Sequence, residues 1–221
     1  MDTFLSTGAL TKEKYDFSLS GLVEEDKCGG VIIRSIGGNI FIKRKMSIKR
    51  MSFIAMMTCL LVICSWLTIP AAVPFTMQTF AVFCCLILLG GKSGLTSLVL
   101  YAFMGIAGIP VFSGFQGGIG HIVGPTGGYI IGLIIAAAFY SLLEPLFVKS
   151  VKIQLAALIG GLFICYLFGT LWFKAFYGIR GVSYSFYMII SICVIPYIIP
   201  DIIKLVLAWI VSKKVRKAIM N

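Results

Sequence analysis

An aspartate and a lysine three residues apart, Asp201 and Lys204, sit inside SFYMIISICVIPYIIPDIIKLVLAWIVSKK, a stretch otherwise apolar and long enough to cross a bilayer. Asp201 is the only acidic residue within a hydrophobic span of this chain. A charge at the bilayer centre costs about 2.5–3.5 kcal/mol even on the gentler insertion scales, so an intramembrane pair needs a reason. Positions i and i+3 share a helix face, so the two head groups can neutralise each other or meet one ligand together. A purely structural ion pair fits the same spacing. Acid–base catalysis by Asp201, with His121 as a helper, is a third use. Hydrolytic chemistry would want a second carboxylate or a metal cluster, and the spans hold neither.

The elements that must position this pair follow from composition. Hydrophobic residues make up 59% of the 221 residues and charged residues only 12%, and the mean hydropathy is +1.03. Soluble domains carry about 25% charged residues, so the chain reads as an all-α integral membrane protein. The net charge of +11 does not point to nucleic acid, because the basic residues cluster at the ends of apolar segments, where anionic head groups lie. Six apolar segments, about 51–69, 77–90, 95–109, 127–143, 154–171 and 186–211, predict six transmembrane helices, several of them short or irregular. Lys43, Arg44, Lys45, Lys49 and Arg50 precede the first span. Lys92, Lys149 and Lys152 lie in the second and fourth connections, and Lys213, Lys214, Arg216 and Lys217 in the tail. Only Lys174 and Arg180 lie in the opposite set of connections. The positive-inside rule then predicts both termini in the cytoplasm and connections one, three and five outside.

Those outer connections are where helical backbone stops. The first reads IPAAVPFTMQTF, in which Pro70 and Pro74 end a helix and Thr76, Gln78 and Thr79 are polar at membrane depth. The third reads GIPVFSGFQGGIGHIVGPTGGY, with eight glycines from Gly108 to Gly128. Irregular backbone at membrane depth survives only when buried in protein or lining a cavity, so two such loops predict a ligand-sized outer pocket. Gly124, Gly128 and Gly132 also fit ordinary close packing of membrane helices. His121 reads as a neutral hydrogen-bonding residue rather than a metal ligand. GGIG and GPTGG lack the GK[ST] ending of a phosphate loop and do not sit on a strand-to-helix turn, so they do not read as nucleotide-binding loops. The seven cysteines form no disulfide or zinc pattern and read as small apolar packing residues. Counting back from Lys213 at 1.5 Å per residue puts Asp201 roughly 12 Å below the outer face of a core about 30 Å thick, within reach of both loops. Pro196 and Pro200 interrupt the same span and free backbone groups nearby.

VPFTMQTF, AGIPVF, GPTGGY and IPYIIPDIIK, in that order over about residues 50–217, resemble the BioY family, the biotin-binding S components of energy-coupling factor transporters. The resemblance implies a six-helix fold that holds biotin near the outer surface under the first and third loops. It implies that Asp201 accepts from the urea N–H groups of biotin while Lys204 donates to the urea oxygen, both belonging to the family's D-x-x-K motif. Gln116 best fits a side-chain amide that the family commonly supplies as asparagine. Phe75, Phe112, Phe115 and Tyr129, with Gly117 and Gly118, would line the apolar walls. Arg180 and Lys174 are both candidates for meeting the carboxylate. Ala55 and Cys59 stand where the family commonly has an Ala-x-x-x-Ala patch for docking on a transmembrane coupling subunit. Energy would come from that subunit and two ABC-type ATPases, since this chain has no Walker A motif.

The expected function is therefore biotin uptake by a non-enzymatic, multi-pass subunit of the bacterial cytoplasmic membrane, with no cofactor or metal. An S component for another vitamin is the alternative within the class; an intramembrane enzyme or a pore-forming protein lies outside it. Residues 46–221 form the substrate-binding membrane domain. Residues 1–45 hold six of the eight acidic residues and no signal-peptide pattern. They read as a disordered cytoplasmic extension or as a stretch upstream of a true start at Met46.

Overall fold

Apolar segments in lipid have no water to satisfy their backbone, so each N–H and C=O must pair within the segment, and a helix does this. In the computed structural model, which describes residues 23–26, 30–33, 48–70, 73–182 and 184–220, all six apolar segments are helical. They are α1 (Ile48–Trp66), α2 (Gln78–Leu89), α3 (Gly91–Ile106), α5 (Gly127–Leu143), α6 (Val151–Ile179) and the pair α7 (Phe186–Cys193) and α8 (Ile195–Met220). A short helix, α4 (Ile119–Val123), lies in the third connection. Among the described residues, four stretches are long and apolar enough to cross a membrane: Ile48–Trp66, Gly127–Leu146, Val151–Ile179 and Phe186–Ala218. α2 is apolar but only 12 residues long, about 18 Å at 1.5 Å per residue.

The chain divides into two units, Met1–Met51 and Ser52–Asn221. In the first, β1 (Val23–Asp26) pairs antiparallel with β2 (Gly30–Ile33), Val23 opposite Ile33. The remainder of residues 1–47 lies outside the described residues, and with it the expectation of a disordered or upstream segment.

The second unit is built around α5 and α6, packed along each other. Glycine makes this approach possible. A Cβ at Gly128 would fall 2.2 Å from the Trp172 side chain, and one at Gly132 would fall 3.0 Å from the Cys165 carbonyl. α2 packs on α8 and on α3, and α3 packs on α5. Leu61, Val82, Cys85, Leu98, Leu133, Leu158, Leu162, Leu205 and Ala208 fill the common core. The outward faces are apolar too, with Phe103, Leu142, Phe163 and Ile199 exposed, as lipid contact requires.

Two departures from the sequence expectation bear on the site. The first connection is not wholly irregular: β3 (Thr68–Ile69) and β4 (Phe75–Thr76) pair antiparallel, Thr68 opposite Thr76. This tiny hairpin satisfies backbone groups that two prolines had removed from a helix. The sixth segment, expected to be interrupted at Pro196 and Pro200, is not one helix, but its break lies upstream of both prolines. It breaks at Val194 (φ −125°, ψ −57°), one residue before α8 begins. Pro196 then occupies the first turn of α8, where its missing N–H costs nothing, while Pro200 lies inside the helix.

Candidate ligand site

Asp201 projects from the first turns of α8 into a closed polar cluster. Its Oδ1 accepts from Lys204 Nζ at 2.7 Å and from Thr79 Oγ1 of α2 at 2.9 Å. Its Oδ2 accepts from the Tyr166 hydroxyl of α6 at 2.5 Å. Lys204 Nζ also donates to the Thr76 carbonyl of β4 at 2.6 Å and lies 4.0 Å from the centroid of the Phe75 ring. Asp201 is 3% exposed and Lys204 4%. All three ammonium hydrogens are therefore engaged, by carboxylate, carbonyl and ring. The carboxylate offers about four lone-pair positions, and three are taken. One position on Oδ2 remains open. The pair is neutral as a unit, which lets it stay buried.

This cluster forms the floor of a cavity of about 80 Å³. Phe112, Tyr129, Ile130, Leu133 and Leu162 give it apolar walls. Tyr101 and Tyr129 also line it; among the described residues no partner lies within hydrogen-bond distance of their buried hydroxyls, although Ser65 stands near the first and Thr170 and Cys193 near the second. Buried polar groups are nearly always paired, so orphaned hydroxyls facing a cavity next to a carboxylate with a spare lone pair are suited to a polar ligand. Tyr197 lines the same space, and its hydroxyl donates to the Val73 carbonyl, which ties α8 to the first connection. Phe75 stacks on Tyr197, with ring centroids 6.2 Å apart.

The third connection roofs the cavity. Phe112 is fully buried, and its ring occupies the space left by Gly105, where a Cβ would fall 2.0 Å from the ring. The chain then reverses sharply, Phe112 N donating to the Gln116 carbonyl at 2.9 Å. Gly114 (φ 71°) and Phe115 (φ 58°) both sit in the left-handed region, uncommon for a bulky side chain. Gly118 N closes the loop onto the Gly105 carbonyl at 2.7 Å. Gln116 and Gly117 line an open groove beside the cavity, not the cavity itself. Phe115 is 64% exposed and lies against Trp66 at 4.9 Å; neither it nor Gly118 lines either space.

The structure thus brings together Asp201, Lys204, Phe75, Phe112 and Tyr129, and leaves Gln116 and Gly117 at the mouth. Sequence reasoning missed Tyr166, Tyr101 and Tyr197 as site residues. The one available signal was a tyrosine inside an otherwise apolar run. Arg180 lies over the Phe176 ring at 4.1 Å and Lys174 over Phe186 at 5.5 Å, and neither lines the cavity. Among the described residues no group of three His, Cys, Asp or Glu side chains could hold a metal ion.

Comparison with known proteins decides the family. Residues 42–221 match the BioY family. The chain belongs to the BioY family. A probable biotin transporter BioY of Pyrococcus horikoshii is 35% identical over 172 residues, covering 77% of this chain and 98% of the relative. The biotin transporter BioY of Thermotoga maritima is 36% identical over 161 residues, covering 72% of this chain and 91% of the relative. The BioY fold also superimposes on a crystal structure described as the S-component for biotin from an ECF-type ABC transporter. That match has a TM-score of 0.67 and 26% identity and covers 77% of this chain and 92% of the other. With several membrane-spanning helices and BioY relatives named as transporters, the chain is a multi-pass membrane protein.

Proposed function

We propose that this protein is the membrane subunit that captures biotin and passes it inward, and that it is a carrier rather than an enzyme. The observation that carries the reading is the floor of the cavity: a neutral, fully hydrogen-bonded Asp201–Lys204 pair with one spare acceptor position beside two unpartnered tyrosine hydroxyls. Biotin has a cyclic urea that both donates and accepts, an apolar bicycle and chain, and a carboxylate. The urea meets Asp201 Oδ2 as donor, and its oxygen meets Tyr101 or Tyr129. The bicycle packs on Phe112, Ile130 and Leu133. An anionic group gains nothing from a floor whose single cation is already neutralised, so the carboxylate points to the mouth, past Gln116 and Gly117.

In this reading all six apolar segments cross the membrane, α2 and α3 as short spans. Both termini are cytoplasmic, and the cavity mouth faces outside. Ala55 and Cys59, both exposed on one face of α1, contact a transmembrane coupling subunit, which links the carrier to two ABC-type ATPases. The relatives support this, being named biotin transporters and a biotin S-component of an ECF-type ABC transporter.

Calorimetric titration of biotin into detergent-purified protein, freed of retained ligand, tests the reading, with thiamine and riboflavin as controls. Saturable one-site binding of biotin alone is the expected outcome. Binding of a different vitamin, or of none on a folded sample, would sink the biotin assignment.

A further inference from the structure

Four residues line both the cavity and the more open groove beside it: Pro74, Ser113, His121 and Thr126. They mark the mouth. Of these four, only His121 can carry charge. It sits on α4, half-buried, its ring stacked on Phe112 at 5.0 Å and 17°. Its Nδ1 lies 2.7 Å from Gln116 Oε1, so Nδ1 carries the proton and donates to the amide oxygen. The ring edge bearing Nε2 is the one Gln116 leaves open.

The other titratable groups around this cavity are accounted for. Tyr101 from α3 and Tyr129 from α5 are neutral phenols, as are Tyr166 from α6 and Tyr197 from α8, and Cys165 from α6 and Cys193 from α7 are neutral thiols. Asp201 and Lys204 neutralise each other at the floor. The hairpin of the first connection presents Pro74 and Thr76, which do not titrate. Lys174 and Arg180 lie over phenylalanine rings elsewhere. A ligand with a neutral polar head at the floor and an anionic tail therefore meets one group able to become a cation.

The geometry points to His121 as the residue that receives the ligand carboxylate, as an imidazolium oriented by Gln116 and Phe112, so that capture of an acid-tailed ligand takes up a proton. In the neutral ring with Nδ1 protonated, Nε2 is a lone pair and repels a carboxylate. Protonated, it becomes a charge-assisted donor. Burial holds the empty site's imidazole below its ordinary value, so the ring is neutral at pH 7 before ligand arrives. An adjacent carboxylate raises it. Affinity is then constant above the bound-state value, rises as pH falls through it, and levels off below the empty-state value.

This inference rests on the biotin reading, and its test separates the two. Biotin and biotinamide share the urea head, but only biotin carries a charged tail. Titrating each into the full-length protein between about pH 8 and pH 5.5 reads the effect. Biotin affinity is expected to rise about tenfold over that range, while biotinamide changes by less than about twofold. Titrations of biotin in two buffers of different ionisation enthalpy should show net proton uptake. In the H121Q variant the biotin slope should vanish and binding at the acid end should be about tenfold weaker than in the parent protein. Equal pH responses for biotin and biotinamide in the unaltered protein overturn the role of His121, as does an unchanged slope in H121Q. Failure of both compounds to bind at every pH overturns the biotin reading itself.

Discussion

The floor and the mouth of the cavity are built on opposite principles. At the floor, Asp201, Lys204, Thr79 and Tyr166 come from three helices, and β4 adds the Thr76 carbonyl. At the mouth, Gln116 and His121 hold each other on a glycine-rich loop, with Gln116 exposed. The floor is preorganised, so its donors and acceptors meet a ligand without further ordering cost, which favours specificity. The mouth has few buried contacts and can open at little cost, as an entrance must.

This contrast predicts a gradient of mutational effects. Asp201→Asn should break the floor most severely. It leaves the Lys204 ammonium buried without its counter-charge, a loss of roughly 3–5 kcal/mol, seen as lost biotin binding and a lower melting temperature in detergent. If binding disappears while the melting temperature holds, the pair serves the ligand; if both collapse, it serves the fold.

Gly105→Ala comes next. The added methyl strikes the Phe112 ring and should cost about 1–3 kcal/mol of stability, with weaker biotin binding as the roof shifts. Tyr166→Phe tests the floor more gently. It removes one bond to a carboxylate, about 1.5–3 kcal/mol, and should weaken biotin in calorimetry while the protein stays folded. An unchanged affinity would mean that the ligand itself takes the vacated Oδ2 position. Gln116→Ala, at the exposed mouth, should cost under about 1 kcal/mol of affinity and little stability.

The smallest effect is the pH dependence of the empty protein. The native value of His121 is lowered, so the unfolded chain binds the proton more readily. The stability present above the unfolded value is lost as pH falls through about 6.5 and below. The melting temperature of the ligand-free protein should therefore fall slightly on acidification, and less so in His121→Gln. Saturating biotin should reverse the sign of that difference.

Much of this was legible in the residues. The i, i+3 spacing put Asp201 and Lys204 on one face of a helix, and their burial in an apolar run announced a partner. Pro70, Pro74 and the glycine loop located irregular backbone, because proline and glycine act locally, whereas the sixth segment breaks at Val194 and stays helical through Pro196 and Pro200. The roles of Thr79 and Tyr166 were not legible. They lie 122 and 35 residues from Asp201, and no local rule pairs them. The β3–β4 hairpin was missed because two-residue strands have no periodicity. Phe115 was expected in the wall and is largely exposed, on a turn where Gly114 and Phe115 both take left-handed backbone.

What the sequence determined by itself is the membrane environment, the helical segments and the charged pair, since each follows from composition or from spacing along a single helix. Only the tertiary structure decided which hydroxyls complete the carboxylate, which tyrosines stay unpaired, and which side of the loop faces the cavity. Those depend on how closely α5 approaches α6 and how α2 meets α8, distances set by many packed side chains at once.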